Sequence, residues 1–228
     1  MDGVRIDPRA VVEAGADVGS GTAIWHFSHV RSGAIIGENC IIGKGSYVDE
    51  GVRIGNSCKL QNGSMLYNGV SLGNGVFVGP HAVFTNDLHP RAHLWDEERL
   101  SATKVDDGAS IGANATIRCG INLGSWCMIG AGSVVTKDVP PHALVLGVPG
   151  KIVGWVGTSG NRIDIGVEEG LKGGSFTCNE TGETVSRVCV CLGNYFFFRS
   201  LVDYLLGVAT TARARRESSI EQTLKRVY

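Results

Sequence analysis

The sequence predicts an all-β solenoid, a parallel β-helix, and three observations predict it. A large apolar residue recurs every sixth position without a slip in phase: Ile6, Val12, Val18, Ile24, Val30, Ile36, Ile42, Val48, Ile54, Leu60, Leu66, Leu72, Val78 and Phe84. It resumes as Val105, Ile111, Ile117, Leu123, Ile129 and Val135. Four residues after each comes a second, usually smaller, inward residue, as in Ala34, Cys40, Ser46, Val52, Cys58 and Ser64. Between the two stands Gly or Asn in most hexads, for example Gly33, Asn39, Gly45, Gly51 and Gly63, types that tolerate positive φ.

Each hexad supplies one short strand and a corner, and three hexads make a coil. The large residue fills the tube, the small one lets a narrow triangle close, and Gly or Asn turns the corner. A period of six is neither helical nor a simple alternation of two. Residues 18 apart therefore stack in vertical columns. The twenty hexads give about 6.7 coils and a prism roughly 30 Å tall, with strands about 4.8 Å apart.

Between Phe84 and Val105 the spacing is 21 instead of six, an insertion of 15. It carries His89, Pro90, Arg91, His93 and Trp95 rather than Gly/Ser filler. An excursion from one corner of a rigid scaffold is where function concentrates. Pro140 and Pro141 are expected to stop the coil. A helix domain over 1–157 and a small extension over 158–228 are expected, with a poorly defined end.

Composition narrows the function. The 228 residues hold 21 Lys+Arg against 22 Asp+Glu, so no basic surface calls for nucleic acid. The N-terminus has no apolar run of the kind a secretory signal needs, and a cytoplasmic location is expected. Of seven cysteines, Cys40, Cys58 and Cys127 take the inward position, which suits free packing thiols in a reducing compartment.

The columns place polar residues together. One runs Ser32, Glu50, Asn68, Asn86, Cys119, and its neighbour Arg31, Asp49, Tyr67, Thr85, Arg118. With His26, His29 and Asn62 these are expected along one edge, from which the loop also leaves. Gly112, Ala113, Gly130 and Ala131 offer a bare backbone to a long flat ligand, with Lys137 and Lys151 as cations. That suits an adenine nucleotide diphosphate such as coenzyme A.

The repeat matches the hexapeptide-repeat family of left-handed parallel β-helices over about residues 4–154, and the left hand comes from that resemblance. GVPGKIVG resembles the family's GxPAxxxG closure, with Gly150 where Ala is usual. The stretches 24–37, 59–80 and FTNDLHPRA at 84–92 resemble one branch, the acetyl-CoA-dependent N-acetyltransferases of nucleotide-linked 3-amino sugars. The resemblance is closest to the UDP-2-acetamido-3-amino-2,3-dideoxy-glucuronate N-acetyltransferases of surface-polysaccharide pathways. A sister group acting on dTDP-3-amino-3,6-dideoxyhexoses shares much of it.

The resemblance implies a homotrimer with sites between subunits, acetyl-CoA as co-substrate and no metal. It implies Asn86 as the catalytic residue that orients the amine, with His89 as the rival base. His26, His29, Arg31, Asn62, Tyr67, Asn68 and Arg91 are the candidate sugar ligands; a carboxylate or pyrophosphate would favour Arg31 or Arg91. Two rival classes are weighed. A trimeric zinc carbonic anhydrase would draw on His81, His89 and His93, and a non-catalytic scaffold would need none of these features.

Residues 158–187 resemble the branch's C-terminal extension; after Arg187 the resemblance fails. The Phe/Leu block at 195–208 is too short and too charged for a transmembrane helix. An amphipathic helix on the trimer or a membrane surface, or a non-native reading of the tail, are the alternatives, and membrane contact is not expected. Cys178, Cys189 and Cys191 lack the paired spacing of a zinc ribbon.

Overall fold

A computed structural model describes residues 3–94, 96–179 and 181–187. They fall in one compact unit, Met1–Cys189. Trp95, Cys189, Cys191 and the apolar block at 195–208 lie outside the described residues.

The chain winds as a parallel β-helix with three faces. The first face stacks Arg5–Ile6, Ala23–Ile24, Ile41–Ile42, Lys59–Leu60, Phe77–Val78, Ser110–Ile111 and Met128–Ile129. The second stacks Val11–Val12, His29–Val30, Tyr47–Val48, Met65–Leu66, Val83–Phe84, Thr116–Ile117 and Val134–Val135. The third stacks Asp17–Val18, Ile35–Ile36, Arg53–Ile54, Val70–Leu72, Thr103–Val105 and Asn122–Leu123. Every strand ends on the large residue of its hexad. Ile42, Val48, Leu60, Leu66 and Val78 are fully buried, each such side chain contributing roughly 1.5–3 kcal/mol. The 18-residue register holds as Lys59 on Ile41. Across the loop it becomes 18 + 15 = 33, as Val83 on Thr116.

Positive φ recurs at the corners, not only at Gly and Asn but also at Phe27, Ser57, His81 and Trp126. The fold imposes the left-handed conformation on residues that disfavour it. Of the corner positions in the twenty hexads, only Arg9, Asp87 and Asp138 do not adopt it. Asp87 is where the loop leaves; Asp138 is where the coil shortens.

The coil does not stop at Pro140 and Pro141. Val139 bridges Leu123 in parallel, and Val145 pairs with Ile129. Both offsets are 16, so the last coil continues with two residues deleted. Lys151–Val156 then folds back antiparallel on Ala143–Leu146, and Arg162–Ile163 adds to it. At Gly150 a Cβ would lie 2.9 Å from Val145 Cγ1 and 3.2 Å from the Val134 carbonyl oxygen, so an Ala there would press on both.

Trp155 is fully buried and its indole N–H donates to the Gly166 carbonyl at 3.3 Å. The short helix Val167–Leu171 packs over this strand, and a Cβ on Gly170 would collide with the Trp155 ring. A hairpin of Gly174–Thr177 and Thr184–Arg187 follows. It is tied back where Thr158 N–H donates to Glu183 Oε1 at 2.6 Å. Cys40, Cys58, Cys119 and Cys127 are free thiols and buried, and Cys178 is buried as well. The Cys40 and Cys58 thiols donate to the Gly55 and Gly73 carbonyls, each at 3.1 Å.

Candidate functional site

The loop leaves at the edge between the second and third faces, and the chain pins its base there. Phe84 is fully buried. Thr85 N–H donates to the Ile117 carbonyl at 3.0 Å, and Thr85 Oγ1 accepts Cys119 N–H at 2.9 Å. The Asn86 carbonyl accepts Ser101 N–H at 2.9 Å, and Asp87 bridges Leu100 antiparallel. Asp87 Oδ2 meets Arg99 Nε at 3.0 Å, and Asp87 Oδ1 accepts His89 N–H at 2.6 Å. The His89 N–H, with the Arg99 guanidinium, holds the Asp87 carboxyl below its ordinary range. Arg99 also donates to the His89 carbonyl. Asn86 is half-buried, and its carboxamide has no partner among the described residues.

Below Asn86 the edge is a dense polar ladder centred on Asp49, which is only 8% exposed. Asp49 Oδ1 accepts from Tyr47 Oη at 2.9 Å, from Glu50 N–H at 2.9 Å and from Arg31 Nη1 at 3.1 Å. Its Oδ2 accepts Asn68 N–H at 3.2 Å. Glu13 closes the ladder from beneath: Oε1 lies 2.7 Å from His29 Nε2, and Oε2 accepts Ser32 N–H at 2.9 Å. The His29, Tyr47 and Tyr67 rings follow one another with successive centroids 5.6 Å apart.

This ladder changes the expectation for Arg31. Its guanidinium faces three carboxylates, Asp49 at 3.1 Å, Glu50 at 3.8 Å and Glu13 at 3.9 Å. It is paired within the edge, and 40% of its side chain stays exposed. His29 is likewise paired, with Glu13. Tyr67 is exposed and Asn68 half-buried, directly below Thr85 and Asn86.

The expected single edge divides in two. His26 and Asn62 lie at the edge between the first and second faces, because they fall between first-face and second-face strands. Asn62 Oδ1 accepts Lys44 N–H at 3.0 Å, a stacking role. Asn56 and Asn74 repeat that role on the third edge. Gly112, Ala113, Gly130 and Ala131 continue the His26 edge upward. Gly112 is a stacking requirement: a Cβ there would lie 2.5 Å from Ala131 N. Gly43 and Gly79 below it meet the same backbone limit. Lys137 instead stands in the Asn86 column, and Lys151 starts the strand that folds back over the coil. Arg91 is exposed in the loop, donating to the Pro90 carbonyl at 2.9 Å.

His81 sits on the first–second edge, its ring over Gly63, while His89 and His93 leave from the second–third edge. Among the described residues, no three His, Cys, Asp or Glu side chains group to hold a metal ion, and no helix is long and apolar enough to cross a membrane.

Glu13, Tyr47 and Arg118 were not selected from the sequence as site residues. Glu13 was legible there: it is 18 residues before Arg31, one step further down the same column.

The family described as bacterial transferase hexapeptide (six repeats) matches residues 15–50 and 51–86. The hexapeptide repeat of succinyl-transferase matches 33–68 and 103–137. Together these matches cover the hexapeptide coils on both sides of the loop, residues 15–86 and 103–137. The chain is 51% identical over 59 residues to a dTDP-3-amino-3,6-dideoxy-alpha-D-galactopyranose 3-N-acetyltransferase of Aneurinibacillus thermoaerophilus, covering 26% of this chain and 31% of that protein. It is 39% identical over 89 residues to the serine acetyltransferase of Escherichia coli K12, covering 35% and 31%. The chain thus spans about a third of the length of these curated relatives. Among solved structures, LpxA, a UDP-N-acetylglucosamine acyltransferase from Bacteroides fragilis, shares the fold. The TM-score is 0.58 and the identity 22%, over 68% of this chain and 62% of that one.

Proposed function

We propose that this protein transfers an acetyl group from acetyl-CoA to the amine of a nucleotide-linked 3-amino sugar. The observation that carries the reading is Asn86: a half-buried carboxamide with no partner among the described residues, held where the loop leaves the coil. In the reaction the amine nitrogen attacks the thioester carbonyl, the C–N bond forms, the C–S bond breaks, and coenzyme A leaves as a thiol. The Asn86 side-chain oxygen accepts from the amine and fixes its attack geometry, so that positioning is the main catalytic device. The N-acetyltransferase and acyltransferase names of the relatives support the same chemistry.

The sequence suggests a UDP-3-amino-glucuronate, a step in surface-polysaccharide synthesis in the cytoplasm. A dTDP-3-amino-3,6-dideoxyhexose is the second reading, and the three carboxylates around Arg31 favour it, because they would repel a sugar carboxylate brought there.

The two edges support a homotrimer. Asn86 lies on one edge and Gly112, Ala113, Gly130 and Ala131 on another, across a face up to roughly 20 Å wide for six extended residues. Joining donor and acceptor then takes the second–third edge of one subunit and the first–second edge of the next.

Mass spectrometry of products from acetyl-CoA and a panel of UDP- and dTDP-linked amino sugars tests the reading. A mass gain of one acetyl group on a 3-amino sugar is expected, with turnover of the Asn86→Ala enzyme at least a hundredfold lower. An active Asn86→Ala enzyme would sink the assignment. Sedimentation analysis tests the trimer.

A further inference from the structure

We propose that Arg118 binds the diphosphate of the nucleotide-linked substrate and so directs the nucleotide up the second–third edge, away from the acidic ladder. The inference rests on Asn86 as the point where the amine is held.

Register fixes where Arg118 stands. Val83 pairs with Thr116 and Phe84 with Ile117, so Arg118 lies one coil above Thr85, beside the residue that stacks on Asn86. Its backbone is held on both sides: Arg118 N–H donates to the Val135 carbonyl at 3.0 Å, and the next residue, Cys119, donates to Thr85 Oγ1. The side chain is exposed.

Arg118 also differs from most other arginines of the chain. Arg9 pairs with Asp7, Arg31 with Asp49 and Arg99 with Asp87. Arg5 lies over Trp25, and Arg162 donates to the Val153 carbonyl. Arg118 has no ion pair and no side-chain hydrogen bond among the described residues. A planar guanidinium just past the end of a paired strand, without a carboxylate, presents its paired N–H donors to phosphate oxygens.

Two further constraints agree. Going down from Asn86, the edge carries Glu50, Asp49 and Glu13 against one arginine that they already surround. A diphosphate placed there would meet like charge, so only the upward direction is open to it. The length also fits. The C3 amine and the phosphorus on the anomeric oxygen are five bonds apart, at most roughly 6 Å at about 1.5 Å per bond. Successive coils rise about 4.8 Å. One substrate therefore reaches Asn86 with its amine and the coil above with its diphosphate.

The test uses the full-length protein and two probes, UDP and dTDP, by titration calorimetry at low and high salt. Arg118→Ala is expected to weaken binding of the preferred nucleoside diphosphate tenfold or more and to reduce its salt dependence. Arg118→Lys is expected to recover part of the loss. Arg53→Ala, which removes an exposed arginine from the third face, is expected to bind as the wild type does, and all three should unfold at the wild-type midpoint. In steady state, Arg118→Ala should raise KM for the nucleotide sugar with kcat within about threefold. Unchanged affinity in folded Arg118→Ala overturns the proposal, as does a wild-type protein that binds neither probe. A wild type that binds a probe through Arg118 yet acetylates no amino sugar overturns the acetyl-transfer reading instead.

Discussion

Arg31 Nη1 donates to Asp49 Oδ1 at 3.1 Å across one turn of the coil, and that bond ties two stacked strands through their side chains. Asp49 also satisfies Tyr47 Oη and two backbone N–H groups. Removing its carboxylate leaves several donors short of an acceptor in a site that is nearly closed to water. Asp49→Ala should therefore cost about 2–3 kcal/mol, and Asp49→Asn less, since an amide oxygen remains. Urea unfolding of the two variants checks the order; equal stability of wild type and Asp49→Ala would show that the ladder does not stabilise the fold.

Acid should weaken the same edge. The Ser32 N–H first, then the His29 ring, hold Glu13 below its ordinary value of 4.5, and Asp87 and Glu183 are also depressed, mainly by backbone N–H groups. For a folded-state pKa below the unfolded one, the unfolded chain binds more protons in the window between them. The stabilisation is then fully present above about pH 5 and is lost as pH falls through the folded-state values. The melting temperature should fall as pH drops from about 5 toward 3, and Glu13→Gln should flatten the slope. An identical slope in Glu13→Gln would remove Glu13 from this account.

The six-residue period made the fold legible because every hexad must satisfy the same stacked geometry: a buried aliphatic, a small inward residue and a left-handed corner. Phe27, His81 and Trp126 escaped the Gly/Asn rule at their corners because stacking imposes positive φ there regardless of residue type. The last coil was harder to see, since deleting two residues after Val135 breaks the phase while the strand pairing survives. Asn86 and its loop were legible from the break in the period. The occupancy of Arg31 was not: a column gives height along the prism, but not whether a charge is already paired.

Gly112 and Gly45 separate stacking from conformation. Both would be read from sequence as permissive glycines, yet a Cβ on Gly112 would lie 2.5 Å from the Ala131 nitrogen of the next coil, whereas Gly45 has open space and a φ of +65°. Gly45→Asn should cost at most about 1 kcal/mol, the left-handed preference alone. Gly112→Ala must separate two coils or distort a strand, and should cost about 2 kcal/mol or more. Thermal unfolding of both decides. If Gly112→Ala were as stable as wild type but lost acetyl-CoA binding, the glycine would be there for the ligand instead.

Arg99 joins the loop to the edge that carries Asn86, through Asp87 Oδ2 at 3.0 Å and the His89 carbonyl. The contact lies outside the buried column, and the coil above and below is paired through its backbone. Arg99 is only 23% exposed and Asp87 10%, so Arg99→Ala leaves a part-buried carboxylate short of a donor and should cost about 1–3 kcal/mol while the coil stays folded. It should also release the residues that follow Asn86. Positioning is the proposed device, and small misplacements at a reacting centre are expensive, so kcat should fall tenfold or more with the acetyl acceptor. Arg99→Lys, which keeps the charge but not the two-pronged contact, should recover part of it. Full activity in Arg99→Ala would show that Asn86 is held by the coil alone.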